Sequence, residues 1–196
     1  MRHIPNIISV LRILLVIPTA LALWRDQYQQ ALILMSIAGV SDAIDGGLAR
    51  RFGWMSDLGR ALDPIADKLL VGTMIIVFAV QGYLPLWAAS IVISRDLIIL
   101  VGAAAYRYWF EKVGFTPTFL SKANTAIQIT TLLLLLLALC EMGVISDWAK
   151  AMVDPHLFYV LAVLGVASGA DYVVTWGQRA LHSYRRSAAA KLAKPD

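Results

Sequence analysis

The chain has 196 residues, 59% of them hydrophobic and 15% charged, with a mean hydropathy of +0.70, whereas soluble domains average roughly 45–50% apolar and 25% charged. That balance excludes an ordinary soluble domain and points to an integral membrane protein of one domain, because each helix crossing a hydrocarbon layer about 30 Å thick uses about 20 residues. The net charge of +4 is less informative than where the charges fall, and the single Cys140 excludes an intramolecular disulfide.

In chain order, the apolar runs Ile7–Trp24, Ala31–Arg50, Leu62–Val80, Leu84–Ala105, Leu120–Cys140 and His156–Trp176 predict an all-α fold of six transmembrane helices. Arg2 and the Ala20-Leu21-Ala22 triplet have some features of a signal peptide, but the long first run reads better as a retained helix. Six crossings put both termini on one side. The connections Arg25-Asp26-Gln27, Gln81-Gly82-Tyr83 and Glu141–Pro155 then share the opposite side. Arg2, Arg12, Arg50, Arg51, Arg60, Lys68, Arg107, Lys112 and Lys122 fall on the terminal side or near it, as do Arg179, Arg185, Arg186, Lys191 and Lys194, against only Arg25 and Lys150 opposite. The excess of positive charge predicts that both termini are cytoplasmic. Trp24, Trp87, Trp148 and Tyr83 are placed as outer interfacial anchors, and Tyr106, Trp109 and Trp176 as inner ones.

Residues 1–178 are expected to form the membrane domain and 179–196 a basic cytoplasmic tail against anionic head groups, with no role in nucleic-acid binding. A compact chain without a cleaved presequence fits a bacterial inner membrane.

Charge inside the apolar runs is the informative departure. Asp42 and Asp45 are three residues apart near the end of the second run, and Asp63 and Asp67 four apart near the start of the third. Each pair occupies one helical face, and a short glycine-containing connection lets the two faces meet at the cytoplasmic side. A membrane chain keeps such costly groups only where they are compensated. Clustered carboxylates demand cations, and hard oxygen donors with no nearby Cys or His favour Mg²⁺, Mn²⁺ or Ca²⁺ over zinc. A pair of divalent ions is the usual arrangement for displacement at phosphorus. Arg50 beside the acids offers a planar fork to phosphate, and Gly46 and Gly59 leave room for a ligand against backbone. Duller readings cover single residues only: Asp63-Pro64 is a good helix start, Arg50-Arg51 a topology signal, and Gly46-Gly47 a close-packing pair.

Asp42-x-x-Asp45-Gly46-x-x-Ala49-Arg50, then eight residues, then Gly59-x-x-x-Asp63-x-x-x-Asp67 resembles the signature of the CDP-alcohol phosphatidyltransferases. The resemblance implies phospholipid biosynthesis by transfer of a phosphatidyl group from CDP-diacylglycerol to an alcohol, with release of CMP. It further implies two Mg²⁺ or Mn²⁺ ions held by Asp42, Asp45, Asp63 and Asp67, with Asp67 also the catalytic base. Gly46, Ala49 and Gly59 would line the cytidine pocket and Arg50 would meet the diphosphate. Pro5-Asn6-x-x-Ser9-x-x-Arg12 is similar to the first-helix motif of the glycerophospholipid branch, which assigns Asn6 and Ser9 to the nucleotide. A homodimer is implied as well. The three histidines, His3, His156 and His182, begin no His-x-Lys motif, so a single in-line displacement is expected rather than a covalent enzyme intermediate.

For the acceptor, Arg95, Lys122 and Asn124 are the candidate binding residues, although Arg95 serves equally well as a structural partner of Asp96 or Asp171. Phosphatidylglycerophosphate synthases often carry Gly-Lys-x-Lys-Thr at the start of the fifth helix, where this chain has Ser121-Lys122-Ala123-Asn124-Thr125. With one cation fewer, a doubly charged phosphomonoester is held less well. Ile93-Ser94-Arg95-Asp96 and Pro117-Thr118-Phe119-Leu120-Ser121-Lys122-Ala123-Asn124-Thr125-Ala126 resemble instead the CDP-alcohol type of cardiolipin synthase. The preferred acceptor is therefore phosphatidylglycerol, with glycerol 3-phosphate as the alternative. A divalent-cation transporter accounts for the acids but not for Gly46, Ala49, Arg50 and Gly59 at their spacings.

Overall fold

The structure, a computed structural model, describes the backbone of residues 4–52, 57–109 and 118–192, and within them the side chains of residues 10–41, 65–102, 118–175 and 177–178. Every element among these residues is helical. The helices are α1 (Ile4–Trp24), α2 (Tyr28–Phe52), α3 (Asp57–Val80), α4 (Leu86–Trp109), α5 (Phe119–Leu139), α6 (Val144–Met152) and α7 (Phe158–Leu192), with a π-helical turn over Val153–Leu157.

Polar side chains inside the apolar helices close onto their own backbone. Thr19 donates to the Leu15 carbonyl at 2.7 Å, Ser36 to Leu32 at 2.7 Å, Ser90 to Leu86 at 2.7 Å and Thr131 to Ile127 at 2.8 Å. Such bonds satisfy hydroxyls where no water is at hand. Outside the bundle the opposite chemistry holds: Leu14, Ile17, Ile33, Val40, Ile76, Leu86, Val101 and Val163 are all exposed. An apolar surface of this extent suits lipid rather than water. Phe119–Leu139 and Val144–Thr175 are long and apolar enough to cross a membrane on length and composition alone.

α1 packs against both α2 and α3, α4 lies on α7, and α5 joins the two groups through contacts with α2, α3, α6 and α7. The core between them is built from fully buried Leu23, Met74, Phe78, Val92, Leu132, Leu136 and Leu161. At one end the connections lock together. Tyr28 donates to Asp26 at 2.6 Å and meets the Tyr83 hydroxyl at 3.0 Å, and Gln81 Nε2 donates to the Leu23 carbonyl at 2.9 Å. Gln29 Nε2 reaches the Cys140 carbonyl at 3.4 Å. The α1–α2, α3–α4 and α5–α6 connections therefore meet at the same end, the grouping expected from alternating crossings. Exposed Trp24, Trp87, Trp148 and Tyr159 cluster with them, Trp87 and Tyr159 stacking with ring centroids 5.6 Å apart.

Two elements depart from the apolar runs. The Glu141–Pro155 stretch is not merely a connection but contains α6, nine residues long, which buries Ser146 and Ala149 and exposes Val144, Ile145 and Trp148. Ser146 Oγ anchors it by accepting from the Met142 amide and donating to the Leu137 carbonyl. α7 runs on beyond Trp176 to Leu192; its 35 residues span about 52 Å, more than the roughly 30 Å apolar layer. The boundary at 178/179 is thus not a break in the helix. Between α6 and α7, Asp154 leaves helical geometry (φ −102°, ψ 121°), as the ring of a following proline requires.

Candidate active site

A cavity of about 150 Å³ opens between α1, α2, α3 and α5, lined by Arg12, Ala38, Gly39, Asp67, Lys68, Val71, Thr125 and Gln128 among others. Asp67 is the carboxylate at its wall, about half exposed (51%), while Arg12 beside it is 2% exposed. The Arg12 guanidinium donates to Asp67 Oδ1. A cation so deep in an apolar bundle is tolerated because a carboxylate faces it, and the same contact fixes the direction of the acid.

One residue further along α3, Lys68 Nζ lies 2.6 Å from Asp96 Oδ1 on α4, and Arg95 NH1 lies 2.6 Å from the same oxygen. Gln128 Nε2 on α5 donates to Asp96 Oδ2 at 3.4 Å. Arg95, 3% exposed, also donates to Ser121 Oγ at 2.7 Å and to Ser168 Oγ at 3.0 Å. Asp96 thus joins α3, α4 and α5, and Arg95 extends the network to α7.

The residues singled out from sequence are distributed as follows. Asp67 stands in the cavity. Asn6, Ser9, Asp42, Asp45, Gly46, Ala49, Arg50, Gly59 and Asp63 lie on α1, α2 and α3, but their side chains fall outside the described residues. Of the acceptor candidates, Arg95 is held in the Asp96 network and borders a second, open groove between α4 and α7. Lys122 is exposed. Asn124 is fully buried, with neither amide atom hydrogen-bonded among the described residues. None of these three lines the cavity that holds Asp67. Asp171 is not in the network; its carboxylate accepts from Thr175 Oγ1 at 3.5 Å.

Lys68, Gln128 and the Arg12–Asp67 contact were not singled out from sequence. A Lys and a Gln well inside apolar runs are costly and carry a signal of their own, but nothing in their local spacing says which acid they face.

Among the described residues no group of three metal-ligating side chains occurs. The donor chemistry nevertheless fits a hard divalent ion: Asp67 is an oxygen donor at a cavity wall. Of the α2 positions that line the same cavity, 35, 38 and 39, the last two lead in helical register to 42 one turn on and then to 45.

Comparisons with known proteins agree on one family. The CDP-alcohol phosphatidyltransferase family model matches residues 2–175. A cardiolipin synthase (CMP-forming) of Streptomyces coelicolor is 33% identical over 83% of this chain and 80% of its own length. A CDP-diacylglycerol–glycerol-3-phosphate 3-phosphatidyltransferase of Pseudomonas fluorescens is 35% identical over 68% of this chain and 72% of its own. A cardiolipin synthase (CMP-forming)/mitochondrial hydrolase fusion protein of Schizosaccharomyces pombe is 33% identical over 88% of this chain, which spans only 31% of the fusion. A probable cardiolipin synthase of Drosophila melanogaster is likewise covered over less than half of its length, 45%. The cation-transport reading finds no support among them. With a family model covering nearly all of its helices, this chain belongs to the CDP-alcohol phosphatidyltransferase family.

Proposed function

We propose that this protein transfers a phosphatidyl group from CDP-diacylglycerol to phosphatidylglycerol, releasing CMP, as a cardiolipin synthase of a bacterial inner membrane. The observation that carries the proposal is Asp67, a half-exposed carboxylate aimed by a buried arginine at the wall of a cavity within an apolar bundle. In this reading six spans leave both termini and the site at the cytoplasmic face, which the distribution of positive charges supports. Asp42, Asp45, Asp63 and Asp67 hold two Mg²⁺ or Mn²⁺ ions, which when bound neutralise the diphosphate and stabilise the leaving group. Arg50 contacts the diphosphate, and Asn6, Ser9, Gly46, Ala49 and Gly59 surround the cytidine. The homodimer implied by the family resemblance belongs to the same proposal.

The chain's own part in the chemistry is proton removal and orientation. Asp67 takes the proton of the acceptor hydroxyl. The freed oxygen forms the new bond to the phosphorus bearing diacylglycerol as the bond from that phosphorus to the CMP oxygen breaks. Arg12 keeps the accepting carboxylate directed, and the apolar side chains of Met35, Ala38, Leu70, Val71 and Ile129 around the cavity exclude water that would otherwise compete as nucleophile.

The Pseudomonas relative of comparable identity keeps glycerol 3-phosphate as the alternative acceptor. Purified protein given CDP-diacylglycerol and each acceptor in turn separates the two. CMP release with phosphatidylglycerol is expected, abolished by a chelator and restored by Mg²⁺ or Mn²⁺. Release with glycerol 3-phosphate alone overturns the acceptor, and full activity in the chelator overturns the metal assignment.

A further inference from the structure

Gln128 is 1% exposed, lines the cavity that holds Asp67, and leaves its Oε1 without a hydrogen-bond partner among the described residues. A buried amide oxygen left unpaired in an apolar bundle is costly, so a partner is expected during function.

The nature of that partner follows from Asp96. An ionised carboxylate accepts hydrogen bonds and cannot donate them, so the Gln128 edge facing Asp96 Oδ2 at 3.4 Å must be the Nε2 edge. Lys68 and Arg95 occupy the other oxygen of Asp96 and hold it in place. The amide therefore has its orientation set by Asp96, while its Oε1 is covered in this state, so that an acceptor in the cavity reaches it by displacing the lining side chains. What remains is the carbonyl oxygen, which accepts only and requires a donor. A phosphate or a carboxylate does not satisfy it; a hydroxyl does. The cavity volume of about 150 Å³ is several times the roughly 30 Å³ share of one liquid water, enough for a three-carbon polyol. Asp67 at the same wall is the base that removes a proton from one hydroxyl of that polyol.

We propose that Gln128 is a specificity-determining residue that accepts a hydrogen bond from the non-reacting secondary hydroxyl of the acceptor, with Asp96 as the positioning residue that fixes its amide. The assignment rests on the phosphatidyltransferase reading above and deepens it. Phosphatidylglycerol and glycerol 3-phosphate both carry such a hydroxyl beside the primary one that reacts, so Gln128 recognises the chemistry they share. Lys68 and Thr125 border the same space.

The test compares acceptors that differ only in that hydroxyl. Full-length protein is assayed for CMP release with phosphatidylglycerol and with the phosphatidyl ester of trimethylene glycol, which keeps the primary hydroxyl and lacks the secondary one. Sites built to hydrogen-bond a hydroxyl reject analogues without it strongly, so wild type is expected to favour phosphatidylglycerol by about tenfold or more in kcat/KM. Gln128→Met is expected to bring the ratio to within about threefold of unity. A ratio is unaffected by partial loss of folded protein; if Gln128→Met does not fold at all, Gln128→Asn, which withdraws the amide by one methylene, is read in the same way. Equal use of both acceptors by wild type, or full discrimination retained in the variants, overturns the assignment and leaves the oxygen to an ordered water. CMP release with glycerol 3-phosphate but not phosphatidylglycerol overturns only the choice of acceptor. The comparison is then repeated with glycerol 3-phosphate and trimethylene glycol monophosphate, and discrimination lost with Gln128 supports the role.

Discussion

Asp67 and Asp96 are both acids within apolar helices, yet their surroundings differ. Asp67 is half exposed at a cavity wall, with Arg12 directing it, whereas Asp96 is largely enclosed, with Lys68, Arg95 and Gln128 all pointing donors at it. The first is open to a substrate proton and the second is not. Asp67→Asn keeps the shape and a hydrogen-bond acceptor for Arg12 but removes the proposed base, so turnover is expected to fall by at least about a hundredfold, the lower bound for general-base catalysis, in protein that still folds but with a lowered thermal transition in detergent, because buried Arg12 loses the Asp67 counter-charge. Asp96→Leu leaves Arg95, 3% exposed, and Lys68 without their carboxylate. Removing one partner from a buried ion pair costs about 3–5 kcal/mol; a marked fall in melting temperature, and weakened preference for the acceptor bearing the secondary hydroxyl, are the expected readouts. Asp67 stands out in the sequence through its spacing to Asp63, Gly59 and the α2 acids, and the structure puts it at a cavity wall; its role as base belongs to the proposal. That Asp96 rather than Asp171 partners Arg95, and that Lys68 and Gln128 share it, depends on which faces of α3, α4 and α5 meet, and no local spacing encodes that.

The helices themselves were largely written in the hydropathy. The first run and α1 both end at Trp24, the third run and α3 both end at Val80, and Leu120–Cys140 is displaced by one residue from Phe119–Leu139. The misses are at polar ends: α2 extends to Phe52 and α3 begins at Asp57, because helix continues through charged residues once they have left the apolar layer. α6 was missed because nine residues containing Asp147 and Lys150 carry no transmembrane signal; its amphipathic surface suits an interface instead. The joint between α5 and the first helical group rests on tight packing, since lipid contributes little hydrophobic drive between helices. Leu136 on α5 is fully buried in the common core. Leu136→Ala is expected to cost about 2–5 kcal/mol, measured as a lowered denaturation midpoint in micelles, without altering the ratio between acceptors.

At the scale of the whole molecule, three connections gather at one end, and the cavity with Asp67 opens among α1, α2, α3 and α5 away from them. An amphipathic lipid fits such a site, its chains against the exposed apolar belt and its head towards Arg12, Asp67 and Lys68 in an otherwise apolar cavity. The comparisons establish the family for the chain as a whole, and relatives named as cardiolipin synthase and as glycerol-3-phosphate phosphatidyltransferase each share about a third of their aligned residues with it. The central claim is that a phosphatidyl group passes to an alcohol. It is tested most directly by incubating purified protein with CDP-diacylglycerol and phosphatidylglycerol and measuring CMP and lipid products together by mass spectrometry. One CMP for each new four-chain lipid, with no CMP when the alcohol is omitted, is the predicted result; CMP release independent of any alcohol, with phosphatidic acid as the lipid product, would contradict it.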